Sequence, residues 1–140
     1  MTGLLRRWRQ RRESGETVLE FAFGAALLFM LIFGILQLGW AVWQYNLVAD
    51  LAQEGARWAS VRGSTSASQG GDAAATNGSV GTYVSSRALG MTVTTSATWP
   101  SGNTPGSVVQ VTVTRSLVRF STLIPMPSSV SSTARMVIAR

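Results

Sequence analysis

The sequence predicts an α+β chain: one long N-terminal helix, transmembrane in its first half and amphipathic in its second, packed on a small antiparallel β-sheet of about three strands. Three observations predict it. Phe21–Trp43 is an apolar run of 23 residues in which only Gln37 is polar. A helical period continues beyond it through residues 47–61, and Val109, Val111 and Val113 alternate with polar residues further on.

The apolar run comes first. At about 1.5 Å per residue it spans roughly 35 Å, enough for a bilayer core with some tilt. The remaining chain is too short to bury a helix of that length. Trp40, Trp43 and Tyr45 cluster at one end, where amphipathic rings favour the membrane interface. Five arginines (Arg6, Arg7, Arg9, Arg11, Arg12) precede the other end, giving residues 1–15 a net charge of +4. The positive-inside rule then places residues 1–15 in the cytoplasm and the C-terminal part outside. Within the run, Ala22-x-x-x-Ala26 offers close helix approach, and Gln37 either bonds across a helix bundle or is a tolerated lone amide.

From Leu47 to Val61 the helix continues. Leu47, Leu51, Gly55, Trp58 and Arg62 form one stripe, flanked by Val48, Ala52, Ala56 and Ala59. Asp50, Gln53, Glu54 and Arg57 share the opposite face, with Glu54 placed to pair with Arg57 one turn on. Gly55 and Ala59 again allow close packing, and Gly63 is placed to stop the helix. The expected helix covers 16–62, with the span at 21–43.

Residues 63–90 read as loop and short helices. Asp72 is placed to cap a short helix over Ala73–Ala75, and Val80, Tyr83, Val84, Arg87 and Ala88 share one face of another, interrupted by Gly78 and Gly81. Residues 91–140 read as the sheet. Residues 91–99 alternate weakly, 100–106 are a turn by composition, and the strand from Val109 extends towards Phe120. Pro125-Met126-Pro127 breaks the pattern before a last strand carrying Val130, Ala134, Met136 and Ile138. The apolar stripe on residues 47–61 is the surface available to cover so thin a sheet.

Composition bounds the function. The 140 residues include no His, no Cys and no Lys, only 12 Arg and 6 acids. That excludes zinc fingers, triads built on His or Cys, disulfides and lysine-based chemistry. Beyond Glu54 a single carboxylate, Asp72, remains, so a two-carboxylate site there is excluded too. No catalytic residues, metal site or cofactor are expected. The net charge of +6 would suit a nucleic-acid partner, but much of it lies in the head directly before the apolar run. Arg115, Arg119, Arg135 and Arg140 lack an aromatic platform and read as a solvated sheet face, so no nucleic acid is expected. Trp99, before Pro100, reads as local packing.

The junction Gly15-Glu16-Thr17-Val18-Leu19-Glu20-Phe21 carries the most specific signal: a basic leader ending at Gly, then a carboxylate at the threshold of a long apolar helix. It resembles a type IV pilin leader, cut after the Gly by prepilin peptidase. The Glu20-Phe21 pair is similar to that of the tight-adherence (Tad, or Flp) branch, and Asn46–Ala59 resembles TadE-like minor pilins more closely still. A first mature residue Glu16, where many pilins and type II pseudopilins have Phe, favours the same branch. The resemblance is strong over residues 13–60 and loose over the sheet. It implies processing at Gly15 and Glu16, removal of the 1–15 leader, and assembly contacts at Glu20 and Phe21. It further implies a minor pilin or pseudopilin that integrates into or primes a pilus for adhesion or secretion. The implied partners are major and minor pilin subunits, the inner-membrane assembly platform, prepilin peptidase and membrane lipid.

The physics agrees with such processing. Cutting after Gly15 removes the arginine head and leaves a cationic α-amino group at the helix start. Glu20 is costly to bury alone, and the α-amino group of a neighbouring chain would compensate it. Alternatives stay open on the residues themselves. Thr17-x-x-Glu20 fits a capping box. The chain also fits an uncleaved single-pass anchor displaying an extracytoplasmic β-domain for binding, and Gly39-Trp40-Ala41 offers signal peptidase small residues.

Overall fold

The computed structural model describes the backbone of residues 2–117 and 127–139, with side chains from Gly15 onward. The chain forms two compact units, residues 1–39 and 40–140. Helix α1 covers Thr2–Ser60. It therefore starts well before residue 16, because Gly15 is the only Gly between the arginines and the apolar run and no Pro occurs before Pro100. It ends at Ser60 rather than 62. Gly63 is not its left-handed stop; a turn bond from Arg62 N to Ala59 O (3.0 Å) closes the helix instead.

In the first unit nearly every apolar side chain of the run points outward. Phe21, Phe23, Leu27, Leu28, Phe29, Leu31, Phe33 and Ile35 are all more than half exposed. Such a surface is unstable in water and needs lipid or neighbouring chains to cover it. This is the chain's helix long and apolar enough to cross a membrane among the described residues, and a membrane anchor follows from it.

The second unit is built on the distal half of α1. A short 3₁₀ turn (Ala67–Gln69) leads to α2 (Asn77–Arg87), then β1 (Thr94–Thr98), β2 (Val108–Ser116) and β3 (Ser129–Val137). The strands form an antiparallel sheet in the order β1-β2-β3. Val48, Leu51, Ala52, Ala56 and Ala59 of α1 join Val80, Val84 and Ala88 from α2 and its cap and Val109, Val111, Val113 and Ile138 from the sheet side in one core. Each larger side chain buried there contributes about 1.5–3 kcal/mol. The register sets the faces: Val111 sits opposite Ala134 and Val109 opposite Met136 inside, while Thr112 bonds Thr133 (2.8 Å) and Arg135 bonds Gln110 (2.9 Å) on the outer face. The expected three-stranded sheet and its helical cover are what the structure has.

Several local expectations are corrected. Residues 73–76 form no helix: the Asp72 carboxylate pairs with Arg62, and the cap falls to Thr76. Thr76 Oγ1 accepts from Ser79 N (3.2 Å) and Ser79 Oγ accepts from Thr76 N (2.9 Å). That reciprocal cap and the burial of Val80 and Val84 carry α2 through Gly78 and Gly81. β1 is shorter than 91–99, because Trp99-Pro100 enters a turn closed by Gly102 N to Trp99 O (3.1 Å). Arg115 does not join a solvated face. Its register partner is Val130, it is half-buried, and its Nη1 donates to the Met91 sulfur. Arg135 is solvent-facing, whereas Arg119, Arg140 and the run from Val118 to Phe120, like Pro125 and Met126, lie outside the described residues.

Leu89 has φ of 52°, a left-handed conformation costly for a branched side chain. We expect Leu89→Asn to stabilise the unit by about 0.5–1 kcal/mol, since Asn tolerates that region. Urea unfolding of the two chains in mild detergent would show it as a higher midpoint.

Candidate functional site

Two regions carry the chemistry. The first is the junction at residues 15–21. α1 runs through it without a break, so Thr17 and Glu20 cap no helix start here. Gly15, Glu16 and Glu20 are all exposed, and a Cβ at Gly15 would meet nothing within 4 Å. Phe21 is 76% exposed. Ala22 and Ala26 lie exposed on the same run, and Gln37 is buried. Glu16 and Glu20 stand one turn apart, two carboxylates presented together to the surroundings.

The second region is the polar side of the second unit. Glu54 does not turn to Arg57. Its Oε1 accepts from Tyr83 Oη (2.9 Å) and lies 3.6 Å from Arg87 Nε. Tyr83 stacks on Trp58 with centroids 5.1 Å apart. Arg62 lies 4.2 Å over the Trp58 ring and Arg87 5.4 Å over Tyr83. The order is thus Arg87, Tyr83, Trp58, Arg62, with Glu54 at one end and Asp72 at the other. The sequence places Trp58 and Arg62 on one stripe and Tyr83 and Arg87 on one face of a second helix, but not the pairing of the two, because Tyr83 lies 29 residues from its hydrogen-bond partner Glu54. The stack pins α2 and the 62–72 loop to α1.

Desolvation raises the Tyr83 hydroxyl above its ordinary value, and the hydrogen bond it donates to the Glu54 carboxylate pushes the same way. A raised folded value means the associated stability is present below about pH 10 and lost as pH climbs through the folded value. We expect Tyr83→Phe to cost about 1 kcal/mol near neutral pH and to remove that share of the alkaline loss. Urea titrations of both chains between neutral and alkaline pH would measure it.

Gly55 and Ala59 belong to the core of this unit. A Cβ on Gly55 would come within 2.8 Å of Val84 Cγ2 and 3.3 Å of Val111 Cγ1. The close approach they make is within the chain. Among the described residues, no three of His, Cys, Asp and Glu gather to hold a metal.

Comparison with known proteins adds one finding. Residues 15–57, less than a third of the chain, match the family model of TadE-like proteins, consistent with a TadE-like protein of the Tad system. The match begins at the glycine that ends the basic head. No curated protein and no solved structure matches the chain.

Proposed function

We propose, from the TadE-like match over residues 15–57, that this pilus-associated chain is a minor pilin or pseudopilin that integrates into or primes a Tad-type pilus used in adhesion or secretion. The observation that carries the reading is the coincidence of boundaries. The start of the match, the end of the arginine head and the start of the apolar run all fall at Gly15–Phe21.

In this reading the precursor sits in a bacterial inner membrane with residues 1–15 in the cytoplasm and the second unit outside. Prepilin peptidase hydrolyses the Gly15–Glu16 amide, water supplying the hydroxyl to the Gly15 carbonyl and a proton to the Glu16 nitrogen. The arginine head is lost, and with it the charge that held the chain in one orientation. The net charge falls from +6 to +2. The subunit can then leave the bilayer sideways into a bundle of major and minor pilins on the inner-membrane assembly platform. There Glu20 meets the α-amino group of a neighbour, and Phe21, Ala22 and Ala26 pack against adjacent helices. The chain is a structural subunit; the peptidase and the assembly motor are other proteins, and no nucleic acid or cofactor takes part.

Intact mass and N-terminal sequencing of the protein from native membranes test this. We expect a chain beginning at Glu16, and we expect Gly15→Val to retain residues 1–15. The space around Gly15 is open, so that substitution leaves the fold alone. A native chain that keeps residues 1–15 sinks the pilin reading and supports an uncleaved anchor displaying the outer unit. A chain starting near Val42 supports secretion by signal peptidase.

A further inference from the structure

The second unit has one end rich in exposed apolar groups. A groove of about 430 Å³ opens between Ala41, Val42 and Tyr45 of α1 and Leu117, Pro127 and Val130 at one end of the β2–β3 pair. The other end of that pair is fixed to the top of α1, where Ala139 N donates to Ser60 O (2.8 Å). Residues 42 to 60 rise about 27 Å along the helix, and 130 to 138 about 27 Å along the strand. β3 therefore runs alongside α1, with its start at the Val42 level.

The turn after α2 lies at this same end. Arg115, whose register partner is Val130, reaches Met91, and Met91 N closes the turn on Ala88 O (2.9 Å). At the tip of that turn stands Leu89. It is 77% exposed, the most exposed large hydrophobic outside α1 among the described residues, and it is held at positive φ. The left-handed backbone of Leu89 ends α2 directly after its cap, but nothing within the unit covers the apolar side chain it presents to water.

Trp40 to Trp43 belong both to the apolar run and to this unit. Trp40 and Trp43 stack at 4.9 Å beside half-exposed Tyr45. The groove thus opens where the run ends. Apolar tips, aromatic rings and a nearby Arg115 match the chemistry of the bilayer interface, apolar below and wet above.

We infer that this rim, with Leu89 and the groove at Pro127 and Val130, dips into the interfacial zone of the leaflet from which α1 emerges. Lipid is the occupant because Ala41 and Val42, which line the groove, are themselves among the last residues of the apolar run, with no polar residue from 40 to 43. The inference rests on the membrane-anchor reading of that run. It gives the outer unit a fixed seat on the membrane before assembly.

The chain has no cysteine, so single cysteines report cleanly. Full-length Leu89→Cys, Pro127→Cys, Ile32→Cys and Ser101→Cys would each carry an environment-sensitive fluorophore in phosphatidylcholine–phosphatidylglycerol vesicles containing shallow spin-labelled lipid. Ser101 lies in the turn at the far end of the sheet. We expect quenching at Leu89 and Pro127 at least twofold greater than at Ser101, with a blue-shifted emission, and protection of Ile32 from aqueous quenchers. Leu89 and Pro127 behaving like Ser101, while Ile32 stays protected, overturns the rim and leaves the anchor intact. Loss of protection at Ile32 overturns both. A blue shift at Leu89 that appears only at high protein-to-lipid ratio assigns the rim to a second copy and overturns the lipid contact.

Discussion

Gly55→Ala should destabilise the second unit by about 1–3 kcal/mol, although alanine is the better helix former by about 1 kcal/mol. The reason is space. The added methyl would lie 2.8 Å from Val84 Cγ2 and 3.3 Å from Val111 Cγ1, and both valines are fully buried with nowhere to move. Three elements converge on that one point: α1 below, α2 on one side and the central strand on the other. For a unit of this size each kcal/mol shifts the melting temperature by about 4–8 °C. A double-mutant cycle makes the cause explicit. Val84→Ala alone should cost about 2–3 kcal/mol through the cavity it leaves, but less in the Gly55→Ala background, where the new methyl fills that space. Thermal unfolding in mild detergent, read by tryptophan fluorescence, gives all four stabilities. Gly55→Ala melting at or above the parent temperature would refute the crowding argument.

Under the proposed assembly, Glu20→Ala should leave the folding of the second unit unchanged and lower incorporation into filaments by roughly a hundredfold or more. Glu20 is exposed on the helix, so its removal takes no packing away. In a bundle of processed chains the effect is different. Removing one member of a buried ion pair strands the other, at a cost of about 3–5 kcal/mol. Glu20→Gln tests charge apart from shape and should recover little of the loss, because a neutral amide does not compensate an α-amino cation. The readout is the share of the chain in sheared filaments relative to membranes, with melting temperature as the control. Filament yield unaffected by either substitution would remove Glu20 from assembly while leaving processing at Gly15 intact.

Much of this fold is legible in the sequence because it is periodic. The stripe from Leu47 to Ala59 announces a helix with one buried face, and Val109, Val111 and Val113 announce the central strand; both do what the period implies. The features that escaped are those fixed by distant partners or by single dihedral angles. α2 contains two glycines and succeeds because Thr76 and Ser79 cap each other, a cap without the usual Glu or Gln. Arg115 looks like a surface arginine until the register sets it opposite Val130 and draws it to Met91. Glu54 has an arginine one turn away, yet takes Tyr83 and Arg87 because α2 packs alongside. Leu89 carries no sequence mark of its positive φ. At the junction the position is otherwise: Gly15, Glu16 and Glu20 are conspicuous as a pattern of types, and the fold of the single chain leaves all three exposed.

The stitching at the top of α1 has a mechanical consequence. Ser60 O accepts from Ala139 N, Arg62 O from Ala75 N (2.7 Å), and Asn103 O from Ser64 N (2.6 Å). The end of the helix is thereby tied to three segments that are far apart in the chain. In the proposed assembly, a pull along α1 reaches these ties and the buried stripe of the same helix, so the load on the second unit is spread over several chain segments.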